Sequence, residues 1–221
     1  MSHDVTGPSA GCKPSAGGKP RRKTGRPLSF DRDAALEQAM LVFWKHGYEA
    51  SSLSQLTSAM GITPPSLYTA FGDKKRLFLA AVERYVARSE MSVDSIRNAP
   101  TARGAVAELL RTAAIAQTQR GKPAGCLLVH GASNCSRLSE DVQRALAKLR
   151  GMLERAVKER IEEGLKRSEL PAQTDAVSLA AFYVSVTHGM STQAQDGAGR
   201  EKLLAIAAAA MKAWPQTASA G

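Results

Sequence analysis

Residues 52–71 read Ser-Leu-Ser-Gln-Leu-Thr-Ser-Ala-Met-Gly-Ile-Thr-Pro-Pro-Ser-Leu-Tyr-Thr-Ala-Phe, and the spacing within this stretch sets two short helices and the turn between them. Ser52 and Gln55 stand at capping-box spacing, so each satisfies a backbone donor of the other's end of the first turn. Leu53, Leu56 and Met60 fall on one helical face, and Gly61 ends the helix. Thr63 is a second N-cap. Pro64 follows it at the first helical position, where a missing N–H costs nothing. Leu67 and Phe71 then turn inward. Two short helices joined by a glycine-containing turn are the geometric core of a helix-turn-helix. The second helix of such a pair enters the major groove of DNA, its N-terminal residues near base edges. The outward residues here are Pro64, Pro65, Ser66, Tyr68 and Thr69. They offer hydroxyls to phosphate or base and apolar contact to a thymine methyl. The helix holds no Arg, Asn or Gln for a bidentate base contact, so sequence readout must lean on DNA shape and on other parts of the chain.

Outward from this stretch the pattern stays helical, with no convincing period-2 strand. A first helix is expected over Asp31–His46, with Leu36, Met40 and Phe43 on one stripe and Gly47 as its C′ residue. Asp73 caps a long fourth helix carrying Leu77, Phe78, Ala81, Val82 and Tyr85. Lys74, Lys75 and Arg76 occupy the first turn of that helix, where cations oppose the helix dipole at about 0.3–1 kcal/mol each. Such placement suits an end that phosphates approach; solvated side chains tolerating a weak penalty are the plain alternative. Five more helices are expected, roughly over 101–119, 124–134, 139–167, 174–195 and 200–213. The expectation is an all-α protein of nine helices.

Residues 1–30 carry Lys13, Lys19, Arg21, Arg22, Lys23 and Arg26 against the single acid Asp4, whereas acids and bases balance over 31–78. Half of the chain's net charge of +10 is thus carried ahead of the first helix. A basic, Gly- and Pro-rich arm of this kind suits contact with a polyanion. Arg26 sits in a Gly-Arg-Pro context that resembles the core of an AT-hook, in which an arginine lies along a narrow minor groove. No run of eighteen apolar residues suggests a membrane span, and no apolar segment follows the N-terminal charges as in a secretory signal. The expected location is cytoplasmic. Cys12, Cys126 and Cys135 make neither a disulfide framework nor a four-ligand zinc pattern.

The stretch from Phe30 to Val82 resembles the DNA-binding domain of the TetR (tetracycline repressor) family. The matching motifs are F-x-x-x-G-Y-x-x-S-S at 43–52, A-M-G-I-T at 59–63, S-L-Y-x-x-F at 66–71 and G-D-K-K-x-L-F at 72–78. The resemblance implies phosphate contacts from Tyr68 and Lys74 and base-side contacts from Pro64, Pro65 and Ser66. Ser52, Thr63 and Thr69 complete the candidate DNA-facing set. Ala70 stands where many members have His, so that contact is missing. The implied organisation is a basic arm (1–28), a helix-turn-helix domain (29–77), a ligand-binding and dimerisation domain (78–215) and a short tail (216–221).

Two C-terminal stretches, PAGCLLVHGASNCS at 123–136 and THGMSTQAQDGAGREKLL at 187–204, resemble a TetR subgroup with a G-C-L-L element, including regulators of electrophile detoxification and copper stress. The resemblance implies a homodimer formed through the last two long helices and a cavity for an unidentified small-molecule inducer. The residues agree with a dimer: 176–195 is apolar or small on nearly all sides, so it needs partners on more than one face. A seam with Leu203, Ile206, Ala207, Ala210 and Trp214 would supply them. A two-fold dimer calls for a near-palindromic operator with half-sites roughly 34 Å, or a multiple, apart.

The candidate sensor residues are Cys126, His130, Tyr183 and His188. Cys126 and His130 are four apart, the spacing of a shared helical face. Cys126 is open to three readings: a small core residue, a thiol tuned by His130 to sense oxidants or electrophiles, or a soft-metal ligand with His130, Cys135 or His188. Phe182, Met190, Met91 and Gln117 are further candidates for cavity lining, although residues of these types at helical spacing are usually core. A Cys-His-Asn hydrolase on Cys126, His130 and Asn134 is the distant alternative. It lacks partners from separate elements and an oxyanion hole, so the expectation is not an enzyme, and no cofactor is implied.

Overall fold

Side-chain caps decide where the first four helices begin. Asp31 accepts from the backbone N–H groups of Asp33 (2.9 Å) and Ala34 (3.1 Å) and opens α1, Arg32–Ala50. Ser52 and Gln55 cap each other reciprocally at 3.1 and 2.9 Å ahead of α2, Leu53–Met60. Thr63 opens α3, Pro64–Phe71, and Asp73 opens α4, Lys74–Ala87, by accepting from the Arg76 N–H at 2.7 Å. Each such cap contributes about 1 kcal/mol.

The computed structural model describes residues 30–89, 92–132 and 139–216. Among them the regular structure is ten helices and no strand, one helix more than the sequence suggests. The remaining helices are α5 (Val93–Arg97), α6 (Ala102–Gln117), α7 (Leu127–His130), α8 (Glu140–Lys166), α9 (Ala176–Gln195) and α10 (Arg200–Met211). The unforeseen element is α5, a single capped turn too short for a periodic pattern; the Ser95 N–H donates to Ser92 Oγ at 2.9 Å. The helix expected over 124–134 is reduced to α7, because Gly125 takes φ +82° and Cys126 is extended. The arm with Arg26, together with Met91, Asn134 and Cys135, lies outside the described residues.

Two cores form. The first gathers Phe43, Leu56, Leu67, Leu77 and Phe78, all fully buried, with Phe78 meeting the edges of Phe43 and Tyr48 at 5.0 and 5.1 Å. Leu127 of α7 and Val142 and Leu146 of α8 belong to this same core, so packing does not divide the chain at residue 77. The second core unites α5, α6, α8, α9 and α10. Arg160 is buried in it, bonded to the carbonyl oxygens of Ala99 and Pro100 and to Glu169. Arg84 of α4 reaches Glu37 of α1 at 2.8 Å and fastens those helices on the surface side.

Of the five residues expected at a C-terminal seam, Ile206 and Ala210 are half-buried. Leu203, Ala207 and Trp214 pack into their own chain's core rather than facing outward. The apolar side chains that α9 leaves open are Val177 (56% exposed) and Phe182 (44%).

Gly47 was expected to stop α1. It does interrupt the helix, at φ +76° and ψ 173°, but the chain recovers helical geometry through Ala50. This backbone region is essentially reserved for glycine, and the break releases the Tyr48 N–H to the carbonyl of Gly131 at 2.7 Å. Gly47→Ala should therefore destabilise the fold by about 1–3 kcal/mol in urea unfolding, even though a Cβ there meets no atom nearer than 3.5 Å.

Candidate functional site

The two faces on which function can rest are the outer side of α3 and a cavity beneath α4. On α3, Leu67 and Phe71 face the first core, and the three-and-four spacing turns Pro64, Pro65, Tyr68 and Thr69 to solvent. Ser66 is half-buried, its hydroxyl 2.9 Å from that of Thr63. Tyr68 is 47% exposed, a large ring with about half of its surface open to solvent. The Thr69 hydroxyl donates back to the Pro65 carbonyl at 2.9 Å. Ser52 is exposed at the N-cap of α2.

The cations at the start of α4 have partners within the chain. Lys74 donates to the Glu49 carbonyl at 3.3 Å and stands 4.6 Å from the Tyr48 ring centroid. Lys75 pairs with Asp141 of α8, and Arg76 approaches Asp73 at 3.7 Å. These contacts offset the dipole penalty that the sequence shows, and they hold Lys74 against the end of α1.

The cavity, about 290 Å³, lies between α4, α5, α6, α7, α8 and α9. Its wall includes Cys126, Tyr85, Gln117, Thr187, His188 and Arg150 among a mostly aliphatic lining. Cys126 caps α7 rather than lying inside it, so four-residue spacing does not put it on a helical face with His130. Its sulfur is instead 3.4 Å from the Tyr85 hydroxyl. Burial, then the neighbouring thiol, pushes the Tyr85 hydroxyl well above its ordinary pKa, so the phenol keeps its proton and donates it to the sulfur. The Cys126 N–H is held by Ser191 Oγ at 2.8 Å.

Of the four sensor candidates, Cys126 and His188 line the cavity and two do not. His130 is outside the lining, its Nε2 buried with no hydrogen-bond partner among the described residues. Tyr183 is fully buried in the second core, its ring against Trp214 and Phe182 and its hydroxyl bonded to the Ala210 carbonyl at 3.3 Å. Met190 is core, and Phe182 is on the open face of α9. Gln117 does line the cavity. Tyr85 and Arg150 went unnoticed in the sequence, the first because its position reads as helix core. Among the described residues no three His, Cys, Asp or Glu side chains come together in a metal-binding group, and no helix is long and apolar enough to cross a membrane.

Comparison with known proteins bears on both faces. The family model "Bacterial regulatory proteins, tetR family" matches residues 35–81, and "Tetracyclin repressor-like, C-terminal domain" matches 102–213. The chain is 35% identical over 198 residues to the HTH-type transcriptional repressor ComR of Escherichia coli (strain K12), spanning 89% of this chain and 94% of ComR. It is 30% identical over 196 residues to the repressor BdcR of the same organism, spanning 88% and 94% of the two chains. A cysteine mutant of the TetR family regulator CifR, solved on a 26 bp double-stranded operator, superposes with a TM-score of 0.82 at 46% identity. That match covers 86% of this chain and all of the CifR chain.

Burial lowers the pKa of both His130 and His188; the Arg150 and His130 charges lower His188 further, whereas a Ser191 backbone hydrogen bond partly opposes the shift at His130. Each imidazole binds a proton more weakly in the folded state than in the unfolded chain, where the pKa is about 6.5. Stability is therefore fully present above that value and is lost as the pH falls below it. The unfolding midpoint should drop between about pH 7 and pH 5, and His188→Asn should flatten the drop in a denaturation series over that range.

Proposed function

Because the chain belongs to the TetR family of bacterial regulatory proteins, we propose that it is a transcriptional repressor whose homodimer holds a near-palindromic operator and releases it when a small molecule, an electrophile or an oxidant reaches the cavity beside Cys126. The observation that carries this reading is the placement of α4. Its first residue, Lys74, comes three positions after the end of α3, and eleven positions later Tyr85 touches Cys126 at the cavity wall. At 1.5 Å per residue the two lie about 16 Å apart on one rigid rod. A change at the cavity that shifts Tyr85 must shift the end of α4 that flanks the DNA-facing helix.

On the DNA side, Pro64, Pro65 and Ser66 face base edges. Tyr68 and Lys74 hold phosphates, with Ser52, Thr63 and Thr69 as further hydroxyl donors to the backbone and Arg26 of the arm in the minor groove. On the sensing side, Cys126 and His188 meet the signal. Tyr183 and His130, which do not line the cavity, do not meet the signal directly. The exposed face of α9 that carries Phe182, Ser185 and Gly189 forms the two-fold seam, which leaves the two α3 helices for successive major grooves.

The experiment is fluorescence anisotropy on a palindromic operator fragment over a range of salt. Affinity should fall steeply as salt rises, and Lys74→Ala should weaken operator and random DNA alike while flattening the log–log slope by about 0.9. Equal affinity of the unaltered protein for operator and random DNA would remove the proposal.

A further inference from the structure

We propose that Arg32 grips a phosphate of the operator, on the strand across the major groove from the one that Tyr68 holds. This rests on the reading of α3 as the helix that enters the major groove, and it adds a contact which that reading leaves out.

The start of α1 runs along one flank of α3. Ser66 and Ala70 are four apart and share that flank, whereas Tyr68, two positions from each, is turned about 160° away from both. Ser66 and Ala70 are half-buried, while Tyr68 is exposed. Phe30 borders a surface groove together with Ile62, Thr63 and Ser66, at the first turn of α3. Two residues on, Arg32 reaches the last turn. Its Cζ stands 4.6 Å from the centroid of the Phe71 ring, and its Nε donates to the Ala70 carbonyl in a long hydrogen bond of 3.5 Å.

These two contacts hold the guanidinium without neutralising it. Nε carries one of the five N–H donors of an arginine head group; the other four have no acceptor among the described residues. No Asp or Glu among those residues pairs with Arg32, whereas on α4 Lys75, Arg76 and Arg84 pair with Asp141, Asp73 and Glu37. Arg32 is exposed. An exposed guanidinium fork already set against an aromatic face is well suited to a phosphate.

The geometry of the duplex decides which phosphate. A helix in the major groove has one backbone strand along each flank. With Tyr68 on one strand, Arg32 and the Ser66–Ala70 flank meet the other. The arm leads to the same place. Arg26 comes six residues before Arg32 in the chain, a span of at most about 21 Å. The minor groove proposed for Arg26 is divided from the major groove by a single backbone strand. The chain must cross that strand, and Arg32 stands at the crossing.

The test measures the full chain by fluorescence anisotropy on the palindromic operator fragment and on random duplex. Arg32→Gln should weaken both about tenfold at low salt and flatten the log–log salt slope by about 0.9 for each phosphate lost. Arg32→Lys keeps the charge and should keep the slope. Lys202→Gln, which removes the same charge from α10, should leave the slope unchanged. Single methylphosphonate linkages, which neutralise one phosphate at a time, then locate the contact. Arg32→Gln should be indifferent to one linkage that weakens the unaltered protein, and Tyr68→Phe to another on the opposite strand. An unchanged slope in Arg32→Gln, or an Arg32→Lys protein as impaired as Arg32→Gln, would make Arg32 a brace of α3 and overturn the inference. So would two variants indifferent to linkages on the same strand. A flattened slope without preference for the operator sinks the repressor reading alone, whereas operator preference with an unchanged slope sinks the Arg32 contact alone.

Discussion

The arrangement depends on two hydrogen bonds that tie α1 to the short segment around α7. The Trp44 indole N–H donates to the carbonyl of Gly125 at 3.2 Å, and the Tyr48 backbone N–H donates to that of Gly131 at 2.7 Å. Between these anchors Leu127 is buried in the first core while Cys126, one residue before it, is on the cavity wall. A single turn therefore serves both halves of the molecule. Gly125 permits it. At φ +82° a side chain is strained, and a Cβ would stand 3.0 Å from the Ser191 carbonyl oxygen and 2.9 Å from Gln195 Cγ.

Around that turn the DNA-facing helices and the cavity share side chains instead of meeting across a smooth boundary. Trp44 packs edge-on to Tyr85 at 4.9 Å, and Tyr85 reaches Cys126. The α4 helix is gripped on one side by the Arg84–Glu37 pair with α1 and near its start by the Lys75–Asp141 pair with α8. Exposed ion pairs of the Lys75 kind contribute at most about 1 kcal/mol. Coupling between a ligand and a DNA site amounts typically to about 1–3 kcal/mol. Contacts of this modest size are suited to being exchanged by a ligand, whereas the aromatic core beneath them is not. The stiff parts are Phe43, Phe78 and Leu67; the adjustable parts are the polar contacts at either end of α4.

Much of the fold was legible because its signals are local. The capping pairs at Ser52–Gln55, Thr63 and Asp73 act within one helical turn, and a side chain three residues from its partner is found by counting. The inward stripe of α2 and α3 is legible for the same reason. The outward set on α3 follows by subtraction, which is why its exposed residues could be named from the sequence. Where counting failed, the deciding contact was long-range. The Cys126–His130 spacing implied a shared helical face, but the extended backbone at Cys126 broke that face and gave the thiol to Tyr85, forty-one residues away. Tyr183 read as cavity lining and became core because Trp214, from beyond α10, covers its ring.

The sequence by itself determined the first four helices and their starts, the helix-turn-helix and the charge that precedes it, since each depends on neighbours within a few residues. Tertiary structure alone decided which polar side chains surround the cavity, why the lysines at the start of α4 are tolerated, and which face of α9 is left open. Those outcomes depend on helices from distant parts of the chain competing for the same buried space. Burial, unlike capping, is a property of the whole packing and not of any one segment.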